Sequence, residues 1–301
     1  MTNQPTYSII IPHKNTPDLL LRLLKTIPGE DLCEAIVVDD DSSEEHKAHS
    51  LFQNDKWANV KFIFGESFNG AGSARNIGLK YASGKFIIFA DADDIFHSNA
   101  ATILTEYIGS EVDVIYCNID SFYNTSSTPA SRHEKYSILF EKHQNGEIEL
   151  EELKYRFTPP WSKIINKQLI DKNSLSFEEI PASNDIMFST KLAYFSNKTA
   201  VDNRIFYSIS VTEGSITNKF NQRNFDSKLN AAIRVNNFLR SVKKNKYQHS
   251  ILYFVAKSYK FGSNYSFQVL SVLIKNKSNP LIGLHKLLNL RKTLENREKK
   301  F

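Results

Sequence analysis

Two groups of carboxylates are packed closely enough to do chemistry: Asp39-Asp40-Asp41 and Asp91-Ala92-Asp93-Asp94. Carboxylates crowded into one turn repel one another, and a divalent cation with oxygen ligands, Mn2+ or Mg2+, offsets that repulsion. Such a cation can in turn neutralise a diphosphate. A single Asp after a strand serves equally well as a turn former or helix cap; two clusters in one chain favour a site. A calcium loop starting at Asp91 would require Gly at position 96 and Glu at position 102, where Phe96 and Thr102 stand.

The elements that must position these acids alternate along the first 120 residues. The β-branched run Ser8 to Ile11 predicts a strand, and Thr16-Pro17-Asp18 then opens a helix with an N-cap, a proline in the first turn and an early acid. Ala35 to Val38 predicts a second strand, ending in Asp39-Asp40-Asp41-Ser42 with a polar helical stretch behind it. Val60 to Phe64 predicts a third strand and Gly72 to Ala82 a helix. Lys85 to Ala90 predicts a fourth strand ending in Asp91, Ser98 caps a helix through Ile108, and Asp113 to Cys117 is a fifth strand. Apolar strands separated by helices imply an α/β fold with a mostly parallel sheet covered on both faces. Ligands of such sheets sit beyond the carboxyl ends of the strands, which is where both acidic clusters fall.

Two other owners of these patterns fit less well. Phosphatases of the haloacid-dehalogenase type use a strand ending in Asp-x-Asp with the first acid as nucleophile, but on the first strand rather than the fourth. Gly70-Ala71-Gly72-Ser73-Ala74-Arg75 has Arg75 at the third glycine position of a dinucleotide-binding loop, and Glu66 to Asn69 separates it from its strand.

Composition sets the surroundings. The 301 residues, 41% of them hydrophobic, can bury a full core. Cys33 and Cys117 show no metal or disulfide spacing, which points to a reducing cytoplasm. Tyr7 to Ile11, the first apolar run, is too short for a signal-peptide core and has no basic flank, so no secretion signal is expected. Lys257, Lys260 and Lys275 break the C-terminal apolar runs well short of the roughly 20 residues needed to span a bilayer. The net charge of +5 conceals an asymmetry: Ile216 to Phe301 carries 18 Lys and Arg against 3 acids, a balance of +15, and the remainder is −10. Tyr253, Phe254, Tyr259, Phe261, Tyr265 and Phe267 interleave with those lysines, and apolar residues recur at helical spacing from Ile251 to Leu290. The pattern predicts a basic helical C-terminal region that meets an anionic membrane surface, and not nucleic acid.

Four segments in order, Ser8-Ile9-Ile10-Ile11-Pro12, Val37-Val38-Asp39-Asp40-Asp41-Ser42, Asn69 to Gly78 and Phe89-Ala90-Asp91-Ala92-Asp93-Asp94, resemble the family 2 glycosyltransferases of the GT-A fold. The resemblance covers roughly the first 215 residues. It implies a GT-A catalytic domain over 1–215, with a nucleotide-sugar-binding half at 1–120 and an acceptor half at 121–215, followed by the basic region 216–301. It implies a Rossmann-like sheet and a metal-dependent, inverting hexosyl- or N-acetylhexosaminyltransferase using a nucleotide diphosphate sugar, with UDP as the expected nucleotide. Carried over residue by residue, Pro12 borders the nucleotide, Asp40 takes the uracil edge, and Asp39 supports it. Arg75 reaches the nucleotide or its phosphates, unless it makes only a salt bridge. Asp91 touches the nucleotide or the ribose, Ala92 borders the nucleotide, Asp93 takes the ribose, and Asp94 beside Asp93 holds the metal. Asp41 stands where the family usually has Gly, and Pro12-His13-Lys14-Asn15 replaces the commoner Pro-x-Tyr-Asn.

On the acceptor side, Pro159-Pro160-Trp161-Ser162-Lys163 resembles the family's Trp-x-Lys segment, with Trp161 either bordering the acceptor or in the core. Asn184-Asp185 resembles the Glu-Asp pair that supplies the catalytic base, with Asn184 in place of Glu; the two residues could equally cap a helix. Asp185 is the expected base. Ser121 to Gly146, rich in Ser, Asn, Lys and Glu, reads as an acceptor-side insertion or a flexible flap. The acceptor implied is a saccharide or lipid-linked saccharide of bacterial-type surface glycan synthesis, capsule or lipopolysaccharide among them. A non-catalytic nucleotide-sugar-binding protein would share the fold without turnover.

Overall fold

The computed structural model describes residues 4–29, 31–47, 57–65, 70–212, 221–279 and 282. Asn69, the loop 66–69 and the stretch 283–290 of the C-terminal apolar spacing lie outside them. The chain divides into two compact units, Met1–Asn218 and Lys219–Phe301.

In the first unit, buried β-branched runs form the strands that the pattern predicts. β1 (Tyr7–His13) is flanked by β2 (Cys33–Asp40) and β4 (Phe86–Phe89), and β3 (Val60–Gly65) lies outside β2; all of these pairings are parallel. Parallel register aligns the strand ends, pairing His13 with Asp39 and Ile10 with Phe89. The residues following β1, β2 and β4 therefore share one edge. The sheet continues through β7 (Lys163–Asn166), β6 (Val114–Tyr123), β8 (Thr199–Val211) and β5 (Ile95–Phe96), in the order β3-β2-β1-β4-β7-β6-β8-β5. β6 and β8 pair in parallel, whereas β7 and β5 run against their neighbours. This half is mixed, not purely parallel.

Helices α1 (Pro17–Leu24), α2 (Ala71–Tyr81), α3 (Ala100–Tyr107), α4 (Glu134–Gln144), α5 (Leu150–Arg156), α6 (Lys167–Lys172) and α7 (Ile186–Phe195) flank the sheet. α2 packs on β1 and β2. A Cβ at Gly78 would collide with Ile10, so this glycine sets the closeness of the approach. Ile9, Ile10, Ile36, Val38, Ile88 and Phe89 are fully buried in the core between the layers.

Three local expectations change. Asn99, not Ser98, holds the N-cap position of α3, because the chain first pairs Phe96 with Tyr207 and then turns through His97. Behind Ser42 the described residues form only a short 3-10 turn, Glu44–His46. Ser121 to Gly146 is not a flap. Its start extends β6, Ser121 is buried, and Phe140 of α4 packs in the core beside Phe157 at a ring separation of 5.3 Å.

The second unit has its own core. Helices α8 (Gln222–Ser241), α9 (Leu252–Ser258) and α10 (Ser263–Lys275) bury Phe225, Leu229, Ile233, Ile251, Val269 and Leu273. The Asn221 side chain caps α8 by accepting the Asn224 N–H at 2.8 Å. No helix among the described residues is long and apolar enough to cross a membrane.

Candidate active site

A cleft of about 530 Å³ opens at the carboxyl ends of β1, β2 and β4. Pro12, His13, Lys14, Asp40, Arg75, Asp91, Ala92 and Asp93 are among its lining residues. Two cavities of comparable size lie by Pro5, at the other ends of the strands, away from both acidic turns.

The two acids after β2 have different environments. Asp39 is committed internally: His13 Nδ1 lies 2.9 Å from Oδ2, and the Ser42 N–H donates to Oδ1 at 2.8 Å. Because His13 Nε2 accepts the Thr16 N–H at 3.2 Å, the ring proton sits on Nδ1 and His13 donates to Asp39. This chain of bonds joins the end of β1, the start of α1 and the turn after β2. Asp40 instead borders the cleft, and its Oδ1 is buried without a hydrogen-bond partner among the described residues. Burial raises its carboxyl above the ordinary range, with Lys14 and the Gly70 N–H opposing. A buried, unpartnered acceptor facing a cleft suits a ligand N–H.

The acidic turn after β4 is pinned from several sides. The Asp91 N–H donates to the Tyr207 hydroxyl at 2.8 Å, and the Asp94 N–H to the Asp91 carbonyl at 3.0 Å. Arg22 of α1 donates to the Asp93 carbonyl while lying over the Phe122 ring. Asp91 and Asp93 are half-buried and border the cleft. Asp94, the expected metal ligand, is turned toward β8, only 3% exposed, and accepts the Ser210 N–H at 2.7 Å. Antiparallel pairing of β5 with β8 brings Ser210 into that position. Burial raises the Asp94 carboxyl well above its ordinary range, and Asp93 and Asp91 add repulsion; burial and Asp91 likewise raise Asp93. Mutually repelling carboxylates in one turn are relieved by a nearby cation. Among the described residues no group of three or more His, Cys, Asp and Glu side chains could hold a metal by itself, so a cation at this turn would need further oxygen ligands from a bound molecule.

Arg75 joins the acidic turn after β4 to the Asn184-Asp185 turn. Its Nη2 is 2.6 Å from Asp91 Oδ1, its Nη1 is 3.1 Å from Asn184 Oδ1, and its guanidinium lies 5.3 Å from the Phe177 ring centre. Gly72, one turn earlier on α2, allows this approach, since a Cβ there would strike the Glu178 carbonyl and crowd Asn184. Asp185 holds the N-cap position of α7, yet its side chain makes no capping bond. Burial raises the Asp185 carboxyl, with Arg75 the largest opposing influence and Lys163 a smaller one.

Trp161 is buried and stacks on Tyr207 at 6.0 Å, so it backs the wall behind the acidic turn. Lys163 is fully buried, donates to the Pro159 carbonyl, and has its ammonium pushed down to about 7 by burial. His13, Lys14, Arg22 and Tyr207 were not among the expected site residues. The Pro12-His13-Lys14-Asn15 departure marks the first two; nothing local marks Tyr207, which reaches Asp91 across 116 positions of sequence.

The family model Glycosyl transferase family 2 matches residues 8–172. The chain is 32% identical over 122 residues to a UDP-Glc:alpha-D-GlcNAc-diphosphoundecaprenol beta-1,3-glucosyltransferase, WfgD, of Escherichia coli, covering 40% of this chain but only 47% of that relative. It is 27% identical over 274 residues to the GalNAc(5)-diNAcBac-PP-undecaprenol beta-1,3-glucosyltransferase of Campylobacter jejuni, covering 87% and 83% of the two chains. The crystal structure of S. aureus TarS 1-349 in complex with UDP-GlcNAc superposes with a TM-score of 0.59 at 20% identity, over 87% of this chain and 75% of that one, a likeness of fold. None of these supports the phosphatase alternative. With the ordered carboxylate clusters at the carboxyl ends of its strands and the family match over more than half its length, this chain belongs to family 2 of the glycosyltransferases, on a GT-A fold.

Proposed function

We propose that this protein moves a sugar from a UDP-sugar to a saccharide or lipid-linked saccharide acceptor, with inversion at the anomeric carbon, in surface polysaccharide synthesis. The observation that carries the reading is the Arg75 bridge, which places a buried cation between the donor cleft and the Asn184-Asp185 turn. Asp40 takes the base edge through its unpartnered oxygen, and Asp39, held by His13, fixes the turn that presents it. Asp91 and Asp93 face the ribose. Asp93 and Asp94 would hold Mn2+ or Mg2+, which supplies positive charge against the diphosphate.

Asp185 takes the proton of the acceptor hydroxyl as its oxygen forms the new bond to the anomeric carbon. The bond from that carbon to the β-phosphate oxygen breaks, and its electron pair leaves with UDP. Arg75 faces the charge that develops there. One in-line displacement by an external hydroxyl inverts the centre.

A lipid-linked acceptor is supported by the undecaprenol-linked substrates in the names of both relatives. On this reading the reaction runs in the cytoplasm at the inner face of the membrane, a placement supported by the +15 balance of the C-terminal region. Incubation of the purified protein with a panel of UDP-sugars and Mn2+ tests the reading. UDP should be released slowly from at least one donor, and faster with a saccharide acceptor. Binding of UDP-sugars without release from any of them would favour a non-catalytic binding protein.

A further inference from the structure

Helix α10 has two apolar faces, and its unit's core uses one. Tyr265, Val269 and Leu273 point into that core. Phe267, Leu270 and Ile274, spaced three and four residues apart, line a second face on which they are 71%, 39% and 78% exposed. Tyr259, in the turn that leads through Gly262 into α10, is 66% exposed. Large apolar side chains this exposed and this regularly spaced mark a contact surface.

Charge identifies the occupant. The unit holds 18 Lys and Arg against 3 acids, and Asp226, the only acid among its described residues, accepts the Tyr265 hydroxyl. Lys275 follows Ile274 directly, and Lys260 follows Tyr259. A second copy of the chain would bring like charge against like, and a nucleic acid would leave the apolar face wet. An anionic lipid surface satisfies both features, taking the apolar side chains among its acyl chains and the lysines at its headgroups. We infer that α10 docks on anionic membrane by inserting Phe267, Leu270 and Ile274, so that attachment has an apolar part that salt does not screen. This goes beyond electrostatic attraction of the region and does not depend on the glycosyl-transfer reading.

Full-length protein carrying Phe267→Trp, added to the native Trp57 and Trp161, tests it with vesicles of phosphatidylglycerol and phosphatidylcholine bearing brominated acyl chains. The new emission should shift to the blue and be quenched, and part of the binding should survive 0.5 M salt, where the Debye length falls to about 4 Å. The double variant Phe267→Gln/Ile274→Gln should lose the salt-resistant part and weaken binding by on the order of 10-fold or more, with circular dichroism and UDP-sugar hydrolysis in vesicle-free buffer unchanged. Vesicle binding without quenching, or complete release by salt, would overturn insertion. Emission already blue before lipid is added would assign the face to the chain's own residues, or to a second copy if it depends on protein concentration, and either result overturns the proposal.

Discussion

Arg75 Nη2 lies 2.6 Å from Asp91 Oδ1, so a single ion pair ties α2 to the acidic turn after β4 while the other guanidinium nitrogen holds Asn184. Neither partner alone explains the arrangement. The bridge fixes the distance between the acidic turn after β4 and the turn that carries Asp185.

Arg75→Lys keeps the charge but cannot span both partners, because an ammonium lacks the planar fork. Transfer should fall by about 100-fold with a smaller loss of UDP affinity. Arg75→Ala, which leaves Asp91 partly buried and unpaired, should also cost stability, about 3 kcal/mol at the low end for a buried pair because Asp91 keeps some solvent. Steady-state kinetics and denaturant unfolding check the two effects.

His13 donates to Asp39 and accepts from Thr16, and it is 1% exposed. His13→Ala leaves a buried carboxylate oxygen and a backbone N–H without partners, for a loss of roughly 2–4 kcal/mol of stability. UDP binding should weaken as well, since the same bonds hold the turn that presents Asp40. Asp39→Asn should weaken UDP binding less than Asp40→Asn, because Asp39 serves through the protein and Asp40 faces the ligand.

Asp185→Asn keeps the shape and removes the base. Transfer should fall by about 10²- to 10⁴-fold, with UDP affinity nearly unchanged by calorimetry. The base acts as a carboxylate, and burial raises its pKa. The acid limb of kcat/KM should therefore lie above the ordinary Asp value of about 3.9, with activity lost as pH falls through it. A limb at or below that value would place the base elsewhere, with Glu178 and Glu179 tested next.

Asp94 carries the opposite consequence for stability. Its folded-state pKa is raised, by burial first and then by Asp93 and Asp91, so the folded chain holds the proton more tightly than the unfolded one. Stability of the ligand-free protein should therefore decline as pH rises from the ordinary Asp range through the raised value. Asp94→Asn, which can still accept the Ser210 N–H, should lessen that decline, to which the raised Asp40, Asp93 and Asp185 also contribute, and raise ligand-free stability at neutral pH by about 1 kcal/mol. Thermal melts from pH 4 to 8 without metal test the sign.

The first 120 residues were legible because their strands are continuous buried runs: Ile9 to Ile11, Ile36 to Val38 and Ile87 to Phe89 announce themselves by β-branched and aromatic content. The acceptor half was less so. β5 has two residues and β7 has four, too few for a period, and they run against their neighbours. α4 was obscured by polar composition over 121–146, although Tyr136 and Phe140 anchor it to Phe157. In the site, acids at strand ends were visible as a local pattern. That Asp39 is internally committed, that Asp94 turns to Ser210 and that Tyr207 carries the Asp91 amide all depend on contacts across 26 to 116 positions. Local spacing carries no trace of these contacts.

The account's central claim is a donor site completed by a metal. Calorimetry of UDP binding, with Mn2+ and then with excess chelator, tests it most directly. UDP should bind at least 10-fold more tightly with Mn2+ than with chelator, and Asp93→Ala or Asp94→Ala should remove the difference. UDP affinity that is the same with metal and with chelator in the unaltered protein would contradict the account.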